Sequence, residues 1–74
     1  MTIDQSVQEA MTKAIHGTSG DERRMYEALQ MYYRTRSGVY EREAAKYYHR
    51  VSPDARYRVE YLGQVIGTTF AYPY

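Results

Sequence analysis

Two stretches of the chain, MYYRTRS (Met31–Ser37) and KYYHRVS (Lys46–Ser52), each set a tyrosine pair beside arginines. A tyrosine offers a π face for stacking, an apolar body for burial and a hydroxyl for hydrogen bonding. An arginine can lie over that face or fork onto a carboxylate or phosphate. Three chemistries follow: a stacking platform for nucleic-acid bases, the wet rim of a protein interface, or core rings whose hydroxyls reach water. The two stretches also belong to a weak internal repeat, YEALQMYYRTRS and YEREAAKYYHRVS, which align with a one-residue gap. Two unequal units fall short of a repeat architecture, so the likeness is one of helix composition.

Catalytic chemistry has little to work with. His49 and Ser52 stand three apart, but Ser19, Ser37 and Ser52 fall in loop or cap contexts and the acids lie on faces expected to be solvated. Cysteine is absent and His16 and His49 stand alone, so no metal-ligand spacing exists. The glycines form no phosphate-binding fingerprint. GTSGDE could seat an anion on a helix N-terminus, but it reads better as an interhelix turn. A chain of 74 residues rarely encloses a substrate pocket within one copy. The expectation is a non-catalytic protein with no cofactor and no metal.

Those side chains must be held by a single small domain spanning residues 1–74. Folding a chain of that size buries only about 60–65% of its unfolded surface, and no disulfide staples it. A partner or a second copy would add stability. The net charge is +1, but residues 1–33 carry three basic side chains against five acids, and residues 34–58 carry seven against three. An anionic partner surface would meet the middle of the chain. The N-terminal stretch has an acid and no basic region before its apolar positions. No run approaches the roughly 18 apolar residues of a spanning helix. A cytoplasmic protein without a membrane partner is expected.

The apolar spacing places Ile3, Val7, Ala10, Met11 and Ala14 on one face of a first helix that stops at Gly17. Ser19 or Asp21 caps a second helix whose inner face is Met25, Leu29 and Tyr32 or Tyr33. It should end near Gly38. In the third segment Tyr40, Ala44, Tyr47 and Val51 form one stripe and Arg42, Lys46 and Arg50 another. Ser52-Pro53-Asp54 could open a fourth helix with Ala55, Val59, Leu62 and Ile66 at helical spacing, giving an all-α four-helix alternative.

A C-terminal β-hairpin accounts for more of RYRVEYLGQVIGTTFAY, which is rich in β-branched and aromatic residues and holds Gly63 and Gly67. A turn at Gly63 puts Tyr57, Val59 and Tyr61 on the same face as Ile66, Thr68 and Phe70, with Arg58 and Glu60 facing solvent. The expected fold is therefore α+β, three helices followed by a hairpin.

Ten tyrosines against one phenylalanine exceed what so small a core can absorb. The surplus points to a Tyr/Arg recognition face made of Tyr33, Arg34, Arg36, Arg42, Lys46, Tyr48 and Arg50. Tyr72 and Tyr74 would form an arm that docks on a neighbour. The function expected is that of an adaptor or inhibitor that binds a protein with an acidic surface, or its own second copy. The alternative reading uses the same side chains on DNA or RNA. Three helices and a hairpin resemble the outline of a winged helix, with Arg42, Lys46, His49 and Arg50 on the third helix and Arg56 and Arg58 on the wing. Glu41, Glu43 and Glu60 interrupt that surface.

Overall fold

The computed structural model describes residues 3–66, and the side chains of 4–64. Four helices follow one another: α1 (Ile3–His16), α2 (Gly20–Thr35), α3 (Gly38–Tyr48) and α4 (Pro53–Ile66). Helix α2 packs on all three others and runs most extensively beside α3. The core gathers where the apolar stripes meet, with Tyr26, Met11, Met25, Leu29 and Val59 as its largest fully buried side chains. Burying each of the aliphatic ones is worth roughly 1.5–3 kcal/mol, which outweighs any single surface contact.

In α1, Val7, Met11 and Ile15 are buried and Ala14 packs partly against them. Ala10, expected inside, is exposed because the stripe centres on the other three. The chain then turns at Gly17, whose N–H donates to the Lys13 carbonyl at 2.9 Å. Gly20 opens α2 at φ 61°, a left-handed conformation that glycine adopts without a Cβ penalty. Tyr26, absent from the expected inner face of α2, is its most voluminous buried side chain.

Helix α2 stops earlier than Gly38. Arg36 takes the left-handed conformation at φ 58° and donates its N–H to the Tyr32 carbonyl at 2.6 Å. Ser37 then caps α3, its hydroxyl accepting from the Val39 N–H at 3.4 Å. The two-residue link makes α3 run back along α2.

The expected α+β fold is overturned, since residues 53–66 form α4 and no strand occurs among the described residues. The start signal decides the matter. The Ser52 hydroxyl accepts from the Ala55 N–H at 3.3 Å, its carbonyl accepts from the Arg56 N–H at 3.0 Å, and Pro53 occupies the first helical position, where no N–H is needed. From there Ala55, Val59 and Gly63 are buried and Leu62 packs against the core, so the glycine lies on the inner stripe of the helix. The preference of tyrosine and valine for strands spans only about 1 kcal/mol and yields to that packing. The face that would have united Tyr57, Val59 and Tyr61 is split, with Val59 fully buried and the tyrosines 76% and 65% exposed. The partner strand through Thr68 and Phe70 and the arm at Tyr72 and Tyr74 lie outside the described residues.

Candidate functional site: the α2–α3 groove and its tyrosines

At the turn between α2 and α3, Tyr33 is half-buried and its hydroxyl donates to Asp4 Oδ1 at 2.6 Å, tying the start of α1 to the end of α2. That bond holds the hydroxyl proton, and pushes the Tyr33 pKa above the ordinary tyrosine value. The Arg36 guanidinium lies 5.5 Å from the Tyr32 ring centre and 5.4 Å from that of Tyr33, so one cation covers both members of the pair. Arg34 is exposed on the outer side of α2.

The second pair divides. Tyr48, expected on the recognition face, is buried at 8% exposure. Its hydroxyl donates to Glu60 Oε1 at 3.1 Å, and its ring meets the His49 ring edge-on at 5.4 Å. Arg56 of α4 covers the ring at 5.5 Å and donates to the Tyr48 and His49 carbonyls, both at 3.1 Å, which satisfies the end of α3. Tyr48 therefore belongs to the α3–α4 joint. Tyr47 is the member that reaches the surface, with Lys46 Nζ 5.5 Å and the Arg50 guanidinium 5.9 Å from its ring centre.

Tyr47 also lines a solvent-open groove of about 530 Å³ whose walls come from α2 (Arg24, Glu27, Ala28, Met31) and α3 (Val39, Tyr40, Glu43, Tyr47). Because α3 runs back along α2, the lining changes character from end to end. Arg24 and Tyr47, with Lys46 and Arg50 on the ring, make a cationic end. Glu27 and Glu43 make an acidic middle, and Met31, Val39 and Tyr40 an apolar end, where Val39 is 55% exposed.

The seven residues expected to act together are thus distributed. Tyr33, Arg34 and Arg36 sit by the turn, Arg42 lies exposed on the outer side of α3, Lys46 and Arg50 gather at the groove's far end, and Tyr48 is inside. Sequence reasoning missed the groove's Arg24, Met31 and Val39. The helical phase of α3 did hold one clue, since Tyr48 follows Ala44 by one turn and therefore shares its buried face.

Elsewhere Arg58 bridges to Glu22 at 2.8 Å beside the buried Tyr26. Burial pushes the Tyr26 hydroxyl's pKa up, against the pull of the Arg58 guanidinium. Among the described residues no three His, Cys, Asp or Glu side chains are grouped to hold a metal ion, and no helix is long and apolar enough to cross a membrane. No family model, curated protein or solved structure matches the chain.

Proposed function

We propose that this chain is a non-catalytic protein-recognition module that seats an amphipathic helical segment of a partner in the α2–α3 groove. The observation that carries the reading is the graded lining: a cationic end at Arg24, Lys46 and Arg50, an acidic middle at Glu27 and Glu43, and an apolar end at Met31, Val39 and Tyr40. A segment that runs acidic, basic, apolar in the matching direction satisfies all three, and helix-in-groove docking reuses the same ridge packing that holds α3 on α2. Tyr47 and Tyr40 supply the rigid aromatic area that dominates such interfaces. The setting we infer is the cytoplasm, with which a cysteine-free chain is compatible.

The nucleic-acid alternative has less behind it. Arg56 and Arg58 stand on a helix rather than on a wing, and Glu27 and Glu43 would face the phosphates of any strand laid in the groove. The test is an NMR titration of the full chain with three synthetic helical peptides: the acidic-basic-apolar one, its reversed-charge version and a scramble. Shifts at Ala28, Met31, Val39 and Tyr47 are expected with the first, with at least tenfold weaker binding of the other two and of the first peptide to a Val39→Asp variant. Equal binding of all three, or tighter and steeply salt-dependent binding of duplex DNA, would overturn the reading.

A further inference from the structure

We infer that Arg56 and Glu60 of α4, which do not line the α2–α3 groove, position its cationic end and thereby set its preference for an acidic partner, a role that rests on the groove being the recognition surface. Helix α3 spans only Gly38–Tyr48, too short to be stable by itself, and the last carbonyls of a helix have no partner within it. One arginine of α4 serves two of them. Arg56 Nε donates to the Tyr48 carbonyl and a terminal nitrogen of the same guanidinium donates to the His49 carbonyl, both at 3.1 Å. The guanidinium also brings positive charge to the negative end of the α3 dipole and covers the Tyr48 ring, 5.5 Å from its centre. One turn further along α4, Glu60 Oε1 accepts from the Tyr48 hydroxyl at 3.1 Å. Tyr48 is thus gripped at carbonyl, ring and hydroxyl by two side chains four apart on one helix. Ala55 and Val59, each directly before one of them, are fully buried, so the core fixes where the pair points.

The groove feels that grip through the backbone. Tyr47 immediately precedes the held tyrosine, and Arg50 immediately follows His49, whose carbonyl Arg56 takes. The Arg50 N–H donates to the Tyr47 carbonyl at 2.9 Å, closing the turn that returns the Arg50 guanidinium to 5.9 Å from the Tyr47 ring centre, where Lys46 Nζ stands at 5.5 Å. Lys46 and Arg50 are long and exposed, and each has considerable rotamer freedom to lose. They present a defined pair of cations to a carboxylate only while the backbone beneath them and the ring between them are held. If the grip is released, the last turn of α3 frays and the two cations spread into solvent. Val39 and Tyr40, at the apolar end, belong to the opposite terminus of α3, which Ser37 caps. The clamp therefore governs the charge preference of the groove and leaves its apolar grip alone.

The charge of Glu60 separates positioning from simple attraction by sign. Replacing it with leucine removes a negative charge, which by electrostatics alone favours an acidic ligand; positioning requires the reverse, because the Tyr48 hydroxyl loses its acceptor. Arg56→Lys keeps the charge but lacks the planar fork that reaches two carbonyls, so attraction alone predicts no change and positioning predicts a loss. Glu60→Gln retains an oxygen that accepts from Tyr48 and is the conservative rescue.

The test titrates the full chain with the acidic-basic-apolar peptide and with a version whose acidic residues are replaced by glutamine. The parent chain should bind the acidic peptide about tenfold more tightly, and Glu60→Leu and Arg56→Lys should reduce that preference to about threefold or less, with the affinity for the glutamine peptide unchanged. Glu60→Gln should keep it. In the peptide-free chain, the NMR ring-current shifts that Tyr47 imposes on the Lys46 and Arg50 side-chain protons should shrink in Glu60→Leu and Arg56→Lys and persist in Glu60→Gln. A preference that holds or rises in Glu60→Leu, an equal fall for both peptides, or a lost preference with the ring-current shifts intact would each overturn the inference and leave the groove reading standing. A parent chain that binds both peptides equally would overturn the groove reading itself, and the inference with it.

Discussion

The two tyrosine pairs share a dipeptide and a helix C-terminus, yet they do different work. At Tyr47–Tyr48, α4 crosses the end of α3 and claims one ring: Glu60 takes its hydroxyl, while Arg56 takes its carbonyl and its face. The other ring, about 100° around the helix, is left to the groove with Lys46 and Arg50. At Tyr32–Tyr33 both rings stay half-buried under one arginine, and among the described residues Asp4 of α1 accepts from the Tyr33 hydroxyl. A tyrosine's role here is set by what lies across from it.

The sharpest way to break that comparison is to truncate neighbours. Tyr48→Ala removes a ring that is 8% exposed, takes the hydroxyl from Glu60 and uncovers the Arg56 guanidinium, which keeps its bonds to the Tyr48 and His49 carbonyls. A loss of about 3–4 kcal/mol is expected. Tyr47→Ala, from the half-buried ring beside it, should cost at most about 1.5 kcal/mol. Urea denaturation with matched m-values reads both. Equal losses would mean that α4 does not distinguish the two rings.

Next in size is the same contrast within α4. Val59→Ala opens a cavity in the core and should cost about 2 kcal/mol, whereas Tyr57→Ala and Tyr61→Ala should each stay within about 0.5 kcal/mol. In a hairpin all three would line one face and lose stability together. The single-site melting temperatures therefore discriminate the helix from the strand independently of spectroscopy.

That contrast also shows where the sequence could and could not be read. The first three helices are legible because their apolar periodicity is helical and Gly17 breaks the chain between the first two, although Ser19 makes no side-chain capping bond and Asp21 lies inside α2. At residues 53–66 two signals conflicted: Ser52-Pro53 and the Ala55, Val59, Leu62 spacing argued for helix, whereas tyrosines, valines and Gly63 argued for strands. Tertiary burial settled the conflict, because α1 and α2 offer an apolar surface that only a helical stripe can cover. Composition shows an abundance of tyrosine and arginine but not where a groove lies, because the groove is built by two helices whose relative placement no local pattern encodes. The phase of Ala44 turns Tyr48 inward, but the partners of its hydroxyl and ring, Glu60 and Arg56, lie eight and more residues further along the chain.

Arg36 offers a smaller test at the first pair. Its backbone sits at φ 58°, where a residue with a Cβ is strained by about 1 kcal/mol, while its guanidinium covers two rings. Both Arg36→Gly and Arg36→Ala remove the guanidinium, but only glycine also removes the strain. The glycine variant should therefore be the more stable by about 1 kcal/mol, and the alanine variant should fall below the parent protein. If alanine and glycine prove equal, the left-handed cap carries no strain.

The smallest effect concerns Tyr33 and is read through pH. Its hydroxyl is held protonated by the bond to Asp4, so its folded pKa lies above the unfolded value of 10.0. A group raised in this way contributes stability that is fully present below the unfolded value and is lost as pH climbs through the folded one. In that window the unfolded chain binds fewer protons than the folded chain, and stability falls with rising pH. Tyr26, raised by burial, has the same sign. Denaturation midpoints followed from neutral pH into the alkaline range should therefore decline beyond pH 10.0, and Tyr33→Phe, which has no proton to lose, should decline less steeply. The slope that remains in Tyr33→Phe belongs in part to Tyr26, and Tyr26→Phe should reduce it further. An unchanged slope in Tyr33→Phe would mean that the bond to Asp4 is not maintained in solution, and the first tyrosine pair would then be held by Arg36 and by its packing against the core.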